Sequence, residues 1–357
     1  MKSKFLLYFI IRMGYNSWRH DIIKHIKAKT FLRYRTAARL FFANSQKKRS
    51  IQLHIKKFAK TIKRLTSGLL AGVLTCCLTG LAACKAPEAA DSGRLEVVAS
   101  FAPVYALTLT IAEGADNLSV SCMAANSTGC LHDYQITADD MKRVEKADLY
   151  IIGGAGMEGS FLDKITAQYK TLTVADSSEG ALLLKEDGGV NPHIWLSTEN
   201  AAVMAGNICK ALSAASPENA DLFRQNLTRF QAGAVALHDA YIDRFSALQN
   251  RRIITFHEAF EYLADEFGLE VDAVIETEPG TAPDPQTLSS LIERVKSGSC
   301  NAIFTEPQYP DDTARTISRE TNVPVYVLDP IVTGEMTADS FLSTLQSDLD
   351  TLLSALR

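Results

Sequence analysis

The stretch Ser216-Pro217-Glu218-Asn219-Ala220-Asp221-Leu222-Phe223 opens a pattern that runs on to Leu248. In it Phe223, Leu227, Phe230, Ala234, Leu237, Tyr241 and Phe245 recur at spacings of four, three, four, three, four and four. That period lays one apolar stripe along a single helix. Its start is marked by a capping serine, a proline at the first helical position and an acid in the first turn. From Pro217 to Leu248 the predicted helix is roughly 48 Å long at about 1.5 Å per residue. A rod of that length exceeds the width of one small lobe, so it is expected to join two.

On both sides of the rod, short β-rich runs alternate with helical patterns. Before it, strands are predicted to begin at Leu95, Leu118, Leu149 and Leu172, and a helix starts at Ser197 or Thr198. After it, strands begin at Arg252, Val271, Ala302 and Val325, with helices starting near Glu258, Pro285, Asp311 and Ala338. Such alternation implies parallel sheets covered by helices. The expectation is an α/β protein of two similar lobes, each a mainly parallel four-stranded sheet with helices on both faces, joined by one long rigid helix. Residues 95–215 would form the first lobe, 216–249 the connecting helix and 250–357 the second lobe.

The 357 residues carry a formal net charge of -4, which hides an asymmetry: residues 1–64 hold 18 Lys and Arg against the single acid Asp21, and the remainder holds 19 bases against 40 acids. An acidic body excludes a nucleic-acid surface. The basic front ends in Lys56-Lys57-Phe58-Ala59-Lys60-Thr61-Ile62-Lys63-Arg64, an apolar run from Leu65 to Leu81, and Leu81-Ala82-Ala83-Cys84. That order is a secretory signal, too short and too soon interrupted for a membrane span. Leu-Ala-Ala-Cys resembles the bacterial lipobox, which makes Cys84 the expected site of lipid attachment. Residues 1–84 are read as an upstream extension plus signal peptide, with translation starting near Ile51 to Leu53, and residues 85–94 as a polar tether. Export permits disulfides, and Cys122 and Cys130 are the candidate pair. Cys209 and Cys300 could pair or be small buried hydrophobes.

In open parallel sheets, ligands bind beyond the carboxyl ends of the strands. His257 directly follows Ile253-Ile254-Thr255-Phe256, Asp329 follows Val325-Tyr326-Val327-Leu328, and His132 and His193 lie in loops that enter helices. If the lobes face each other at their strand ends, the four side chains converge. Three imidazoles and a carboxylate make a nitrogen-rich tetrahedral site suited to Zn2+. Glu306 also ends a strand and is the second choice for the carboxylate; His238, inside the long helix, reads as a bystander. Three histidines with an open position would also serve a zinc hydrolase, but Asp329 closes the sphere, so no catalysis is expected.

Further signatures accompany these residues. His132-Asp133-Tyr134, Asn191-Pro192-His193-Ile194-Trp195-Leu196, Phe256-His257-Glu258-Ala259-Phe260, Phe304-Thr305-Glu306-Pro307-Gln308 and Val327-Leu328-Asp329-Pro330 stand in register over residues 95–357. In that order they resemble the metal-specific solute-binding lipoproteins of ABC importers. The resemblance implies one transition-metal ion between two lobes, with ligands at His132, His193, His257 and Asp329. It also implies a permease and its ATPase subunit as partners, a monomer, and lipid anchoring outside the cytoplasm at a cell surface or in a periplasm. Histidine at position 257 resembles the zinc-type members, whereas manganese-type members carry Glu there. A Mn2+- or Fe2+-binding importer component, or a surface adhesin of the same fold, is the alternative. This chain departs from many relatives around Gly129-Cys130-Leu131-His132, where they resemble Asp-Pro-His before a Pro-rich turn. It also lacks a long His-rich insertion, having only Lys185-Glu186-Asp187-Gly188-Gly189 in its place.

Overall fold

Parallel pairing organises the molecule into two sheets that share one strand order. The first is built from β1 (Leu95–Ala99), β2 (Leu118–Cys122), β3 (Leu149–Ile152) and β4 (Thr173–Asp176), in the order β2-β1-β3-β4. After a two-stranded hairpin of β5 (Lys185–Glu186) and β6 (Gly189–Val190), the second contains β7 (Arg252–Thr255), β8 (Glu270–Val274), β9 (Ile303–Thr305) and β10 (Val325–Val327), in the order β10-β9-β7-β8. Counted within its own lobe, each sheet runs second, first, third, fourth. Chain direction across the sheet reverses between the first and third strands, and that reversal is where an open parallel sheet offers a crevice.

The computed structural model describes residues 93–124, 131, 134–186, 189–275, 283–298 and 300–357. The signal and nearly all of the tether, the lipid-attachment candidate Cys84, the disulfide candidate Cys130 and the ligand candidate His132 lie outside the described residues. Among those described, no helix is long and apolar enough to cross a membrane.

The first lobe carries α1 (Ala102–Ala112), α2 (Ala138–Glu145), α3 (Leu162–Gln168) and α4 (Thr198–Ala215). As expected from its sequence, α4 is capped by Ser197, whose side chain accepts from the Asn200 backbone N–H at 3.3 Å. The connecting helix α5 (Ala220–Ser246) buries Phe223, Phe230, Ala234, Leu237, Tyr241 and Phe245 from the predicted stripe. Its 27 residues span about 40 Å at the helical rise. The start differs from expectation: Pro217–Asn219 is a 3-10 turn, because Ser216 Oγ donates to Glu218 Oε1 (2.6 Å) instead of capping the α-helix.

The second lobe carries α6 (Glu261–Phe267), α7 (Pro285–Lys296), α8 (Asp312–Thr321) and α9 (Ser340–Ala355). Alternation along its strands separates two cores, since successive strand residues face opposite sides. Ile254 and Ile303 pack with Leu291, Val295, Ala314 and Ile317 of α7 and α8, while Ile253 and Phe304 join the main cluster. That main cluster is continuous from Val97 and Ile151 of the first sheet, through Phe223 and Phe245 of α5, to Phe260, Phe267, Leu349 and Leu352. Both lobes thus share one core, sealed at its edge by Thr110 Oγ1 donating to the Ala338 carbonyl at 2.7 Å.

Candidate metal centre

His193 is built by a local turn. Asn191 Oδ1 accepts from the His193 backbone N–H (3.0 Å) and meets its ring Nδ1 (2.9 Å), while Asn191 Nδ2 donates to the Glu258 carbonyl (2.9 Å). The amide orientation is thereby determined on both ends, and it makes Nδ1 the protonated ring nitrogen. The residues that follow, Ile194–Leu196, form a 3-10 turn that runs into α4. Trp195 lies buried in it against His193, with ring centroids 5.3 Å apart, and donates Nε1–H to the Pro330 carbonyl at 2.8 Å. The loops that carry the ligand candidates His193 and Asp329, one from each lobe, are joined through that bond.

His257 leaves the end of β7 in extended conformation and opens the 3-10 turn Glu258–Phe260. Its Nδ1 lies 2.6 Å from Glu306 Oε1, and both side chains are 1% exposed. Glu306 stands at the end of β9, so strands adjacent at the switch point supply the ring and the carboxylate that orients it. The other Glu306 oxygen accepts from Gln308 Nε2 at 2.7 Å, and Tyr309 packs edge-on against the His257 ring at 5.9 Å.

With both Nδ1 atoms engaged, the two Nε2 atoms face each other 3.2 Å apart. In the tautomers protonated at Nδ1, each Nε2 turns a lone pair and not a proton toward the other. Two imidazole nitrogens bound to a tetrahedral zinc at about 2.0–2.1 Å stand about 3.3 Å from one another. The structure therefore brings together two of the four predicted ligands, from different lobes and 64 residues apart. Glu306, the second-choice carboxylate, serves behind His257 through its Nδ1, the arrangement that orients metal-bound histidines generally.

Asp329 follows β10 and is half-buried. Its Oδ1 accepts from the Val332 backbone N–H at 2.9 Å and its Oδ2 from the Thr333 hydroxyl. Among the described residues no three His, Cys, Asp or Glu side chains gather closely enough to hold an ion. Asp329 is thus tied into its own loop and does not join the two imidazoles. That loop is under backbone strain: the buried, β-branched Ile331 is held at φ +64°, which costs on the order of 1–3 kcal/mol. Behind it, Asp348 of α9 accepts the Asp329 backbone N–H at 3.0 Å. Burial pushes the Asp348 carboxyl well above the usual carboxylate range, and the charges of Asp329 and Glu306 add to the rise against that hydrogen bond.

His132 lies outside the described residues, but its flanks are anchored. Leu131 is buried and its carbonyl accepts the Tyr134 backbone N–H at 2.9 Å. Tyr134 donates its hydroxyl to Asp140 Oδ2 at 2.7 Å, and Asp140 completes a reciprocal capping box with Thr137. Cys122 is buried at the end of β2, where burial raises its thiol to about 12. Cys209 and Cys300 are buried, as small hydrophobes would be. His238 is a hydrogen-bonded residue of the long helix: its Nδ1 meets Glu266 Oε1 at 2.8 Å, a pairing between α5 and α6 whose partner helical periodicity could not reveal.

Comparison with known proteins places this geometry in a family. The profile of the zinc-uptake complex component A, periplasmic, matches residues 97–355. The zinc-binding lipoprotein AdcA of Streptococcus pneumoniae is 28% identical over 296 residues, which are 77% of this chain and 58% of that protein. The chain thus spans little more than half the length of that relative. The manganese ABC transporter substrate-binding lipoprotein PsaA of Streptococcus mitis is 26% identical over 300 residues, 80% of this chain and 94% of PsaA. A crystal structure of ZnuA superposes with a TM-score of 0.65 at 27% identity, covering 74% of this chain and 99% of the other.

Proposed function

The chain belongs to the family of the zinc-uptake complex component A, and on that premise we propose that it is the extracytoplasmic substrate-binding component of an ABC metal importer. It captures Zn2+ between its two lobes and delivers the ion to a permease powered by an ATPase subunit. One observation carries the reading: two buried imidazoles from different lobes, each fixed through Nδ1, meet Nε2 to Nε2 at 3.2 Å. Two buried lone pairs turned on each other repel, and a cation between them relieves the repulsion.

His193 and His257 are the nitrogen ligands at the centre; His132 and Asp329 are the further ligands, and Asp329 joins only when its carboxylate leaves the Val332 amide and the Thr333 hydroxyl. Two or three imidazoles form a softer donor set than carboxylates, which favours Zn2+ over Mn2+. Binding requires neutral imidazole, so zinc uptake releases protons and affinity falls as the medium turns acidic. A lipid on Cys84 ties the protein to the outer side of a bacterial membrane, within reach of its permease. Its role is binding rather than catalysis.

Zinc titration of His193→Ala and His257→Ala tests the reading. Each is expected to lose more than the about 100-fold that removal of an outer partner costs, with the fold intact by circular dichroism. Unchanged affinity in both variants would remove the proposal. Elemental analysis of protein from its native host identifies the physiological ion.

A further inference from the structure

The helical segment that begins after His257 is fastened, at intervals of four residues, to the chain on both sides of His193. The Glu258 carbonyl accepts from Asn191 Nδ2 at 2.9 Å. One turn later, the buried Tyr262 hydroxyl donates to the Asn191 carbonyl at 2.7 Å and accepts from the Leu184 backbone N–H at 2.9 Å. A further turn on, Glu266 Oε2 accepts the Thr198 backbone N–H at 2.7 Å and its Oε1 accepts from the Thr198 hydroxyl. Thr198 is the first residue of α4, so the carboxylate also sits at the positive end of that helix. His238 of α5 meets Glu266 Oε1 from the other side at 2.8 Å.

Each of these bonds joins one lobe to the other or to the connecting helix, and together they bracket His193 from residue 184 to residue 198. We infer that Tyr262 and Glu266 are positioning residues, which hold the His193 and His257 imidazoles at ion-bridging separation before any ion arrives. The inference rests on the metal-binding reading of this pair and adds to it where the site's preorganisation comes from. A preformed pair spares the ion the entropy of assembling the site. It also means that the two imidazoles act as a fixed platform, so ion exchange does not proceed by parting them.

The test uses Tyr262→Phe, which keeps the ring and deletes both hydroxyl bonds, Glu266→Gln, which keeps the shape and removes acceptor capacity, and the double variant. Zn2+ affinity is measured by chelator competition. Histidine ring resonances of the metal-free proteins are followed by nitrogen-detected NMR below the unfolding temperature. The expected result is roughly a tenfold loss of affinity in each single variant and about a hundredfold in the double, the range found for outer partners of metal ligands. Alongside it, the resonances of His193 and His257 should broaden by exchange between conformers, a signature that lowered global stability alone would not produce. Should one single variant fail to fold, the other carries the test. A folded variant with wild-type affinity and sharp, unshifted ring resonances overturns the inference. Wild-type protein that takes up no Zn2+ would overturn the functional reading instead, and the ring resonances of the metal-free variants then decide the positioning role by themselves.

Discussion

The two switch points of the molecule hold the same kind of residue and use it differently. In the first lobe, Glu158 lies just beyond β3; its Oε1 accepts from Ser100 Oγ and the Gly153 N–H, both at 2.7 Å, and its Oε2 from the Gly154 N–H at 3.0 Å. In the second, Glu306 lies just beyond the equivalent strand, β9, and meets His257 Nδ1 at 2.6 Å. Glu158 is closed on all sides and knots the ends of β1 and β3 together. A Cβ on Gly153 would come within 2.8 Å of the Phe101 ring, so the knot is also sterically closed. Glu306 passes its hydrogen bond outward through an imidazole whose far nitrogen faces that of His193 at 3.2 Å. The difference teaches that a buried carboxylate at a strand end closes a lobe when its donors are backbone amides and a neighbouring hydroxyl, and orients a ring when one of its donors is an imidazole.

That comparison can be broken in order of effect. Glu158→Ala leaves the Ser100 hydroxyl and two amides without their acceptor, and is expected to cost about 3 kcal/mol or more by urea unfolding, with zinc affinity of the folded protein unchanged. Lost affinity at unchanged stability would reverse the two roles. Glu306→Gln should do the opposite: roughly 10–100-fold weaker zinc binding, which is about 1.4–2.7 kcal/mol, at nearly wild-type stability. Smallest is Asp140→Asn beside the His132 loop. Burial pushes the Asp140 carboxyl up, but hydrogen bonds from Thr137 and Tyr134, with Arg143 nearby, outweigh it and hold the group below its ordinary range. A depressed folded-state pKa means that this stabilisation is in place above the ordinary carboxylate pKa and is lost as pH falls through the folded value. Asp140→Asn is therefore expected to cost about 1 kcal/mol at neutral pH and to flatten the loss of stability below about pH 4. Equal acid unfolding profiles for variant and wild type would contradict the assignment.

The architecture was legible because burial writes itself into sequence as periodicity. Phe223 to Phe245 announced α5, and the runs before His257 and Asp329 announced β7 and β10, which placed both residues at strand ends. His193 was legible from its loop ahead of the helix that starts at Thr198. What remained hidden depends on side chains that meet only in space. Glu306 was the second choice for the carboxylate because it ends a strand, and only the position of β9 beside β7 shows that it reaches His257 Nδ1. His238 looked idle, since its partner Glu266 lies on another helix 28 residues away. The 3-10 start at Pro217 escaped notice because Ser216 spends its hydroxyl on Glu218, a choice that cap statistics do not encode.

The continuous core from Val97 to Leu352 has a consequence for the lifetime of the protein. Because the main core is common to both lobes, with only the smaller Ile254–Ile317 cluster private to the second, loss of one lobe exposes the other, and residues 93–357 should denature as a single cooperative unit. Any free energy delivered at the two imidazoles is then shared by the whole unit. Cargo at a thousand times its dissociation constant adds about 4.1 kcal/mol, enough to cut the unfolded, protease-sensitive population about a thousandfold. On the metal-binding reading, loaded and empty molecules would differ in lifetime as well as in cargo, and degradation would fall selectively on the copies that carry nothing.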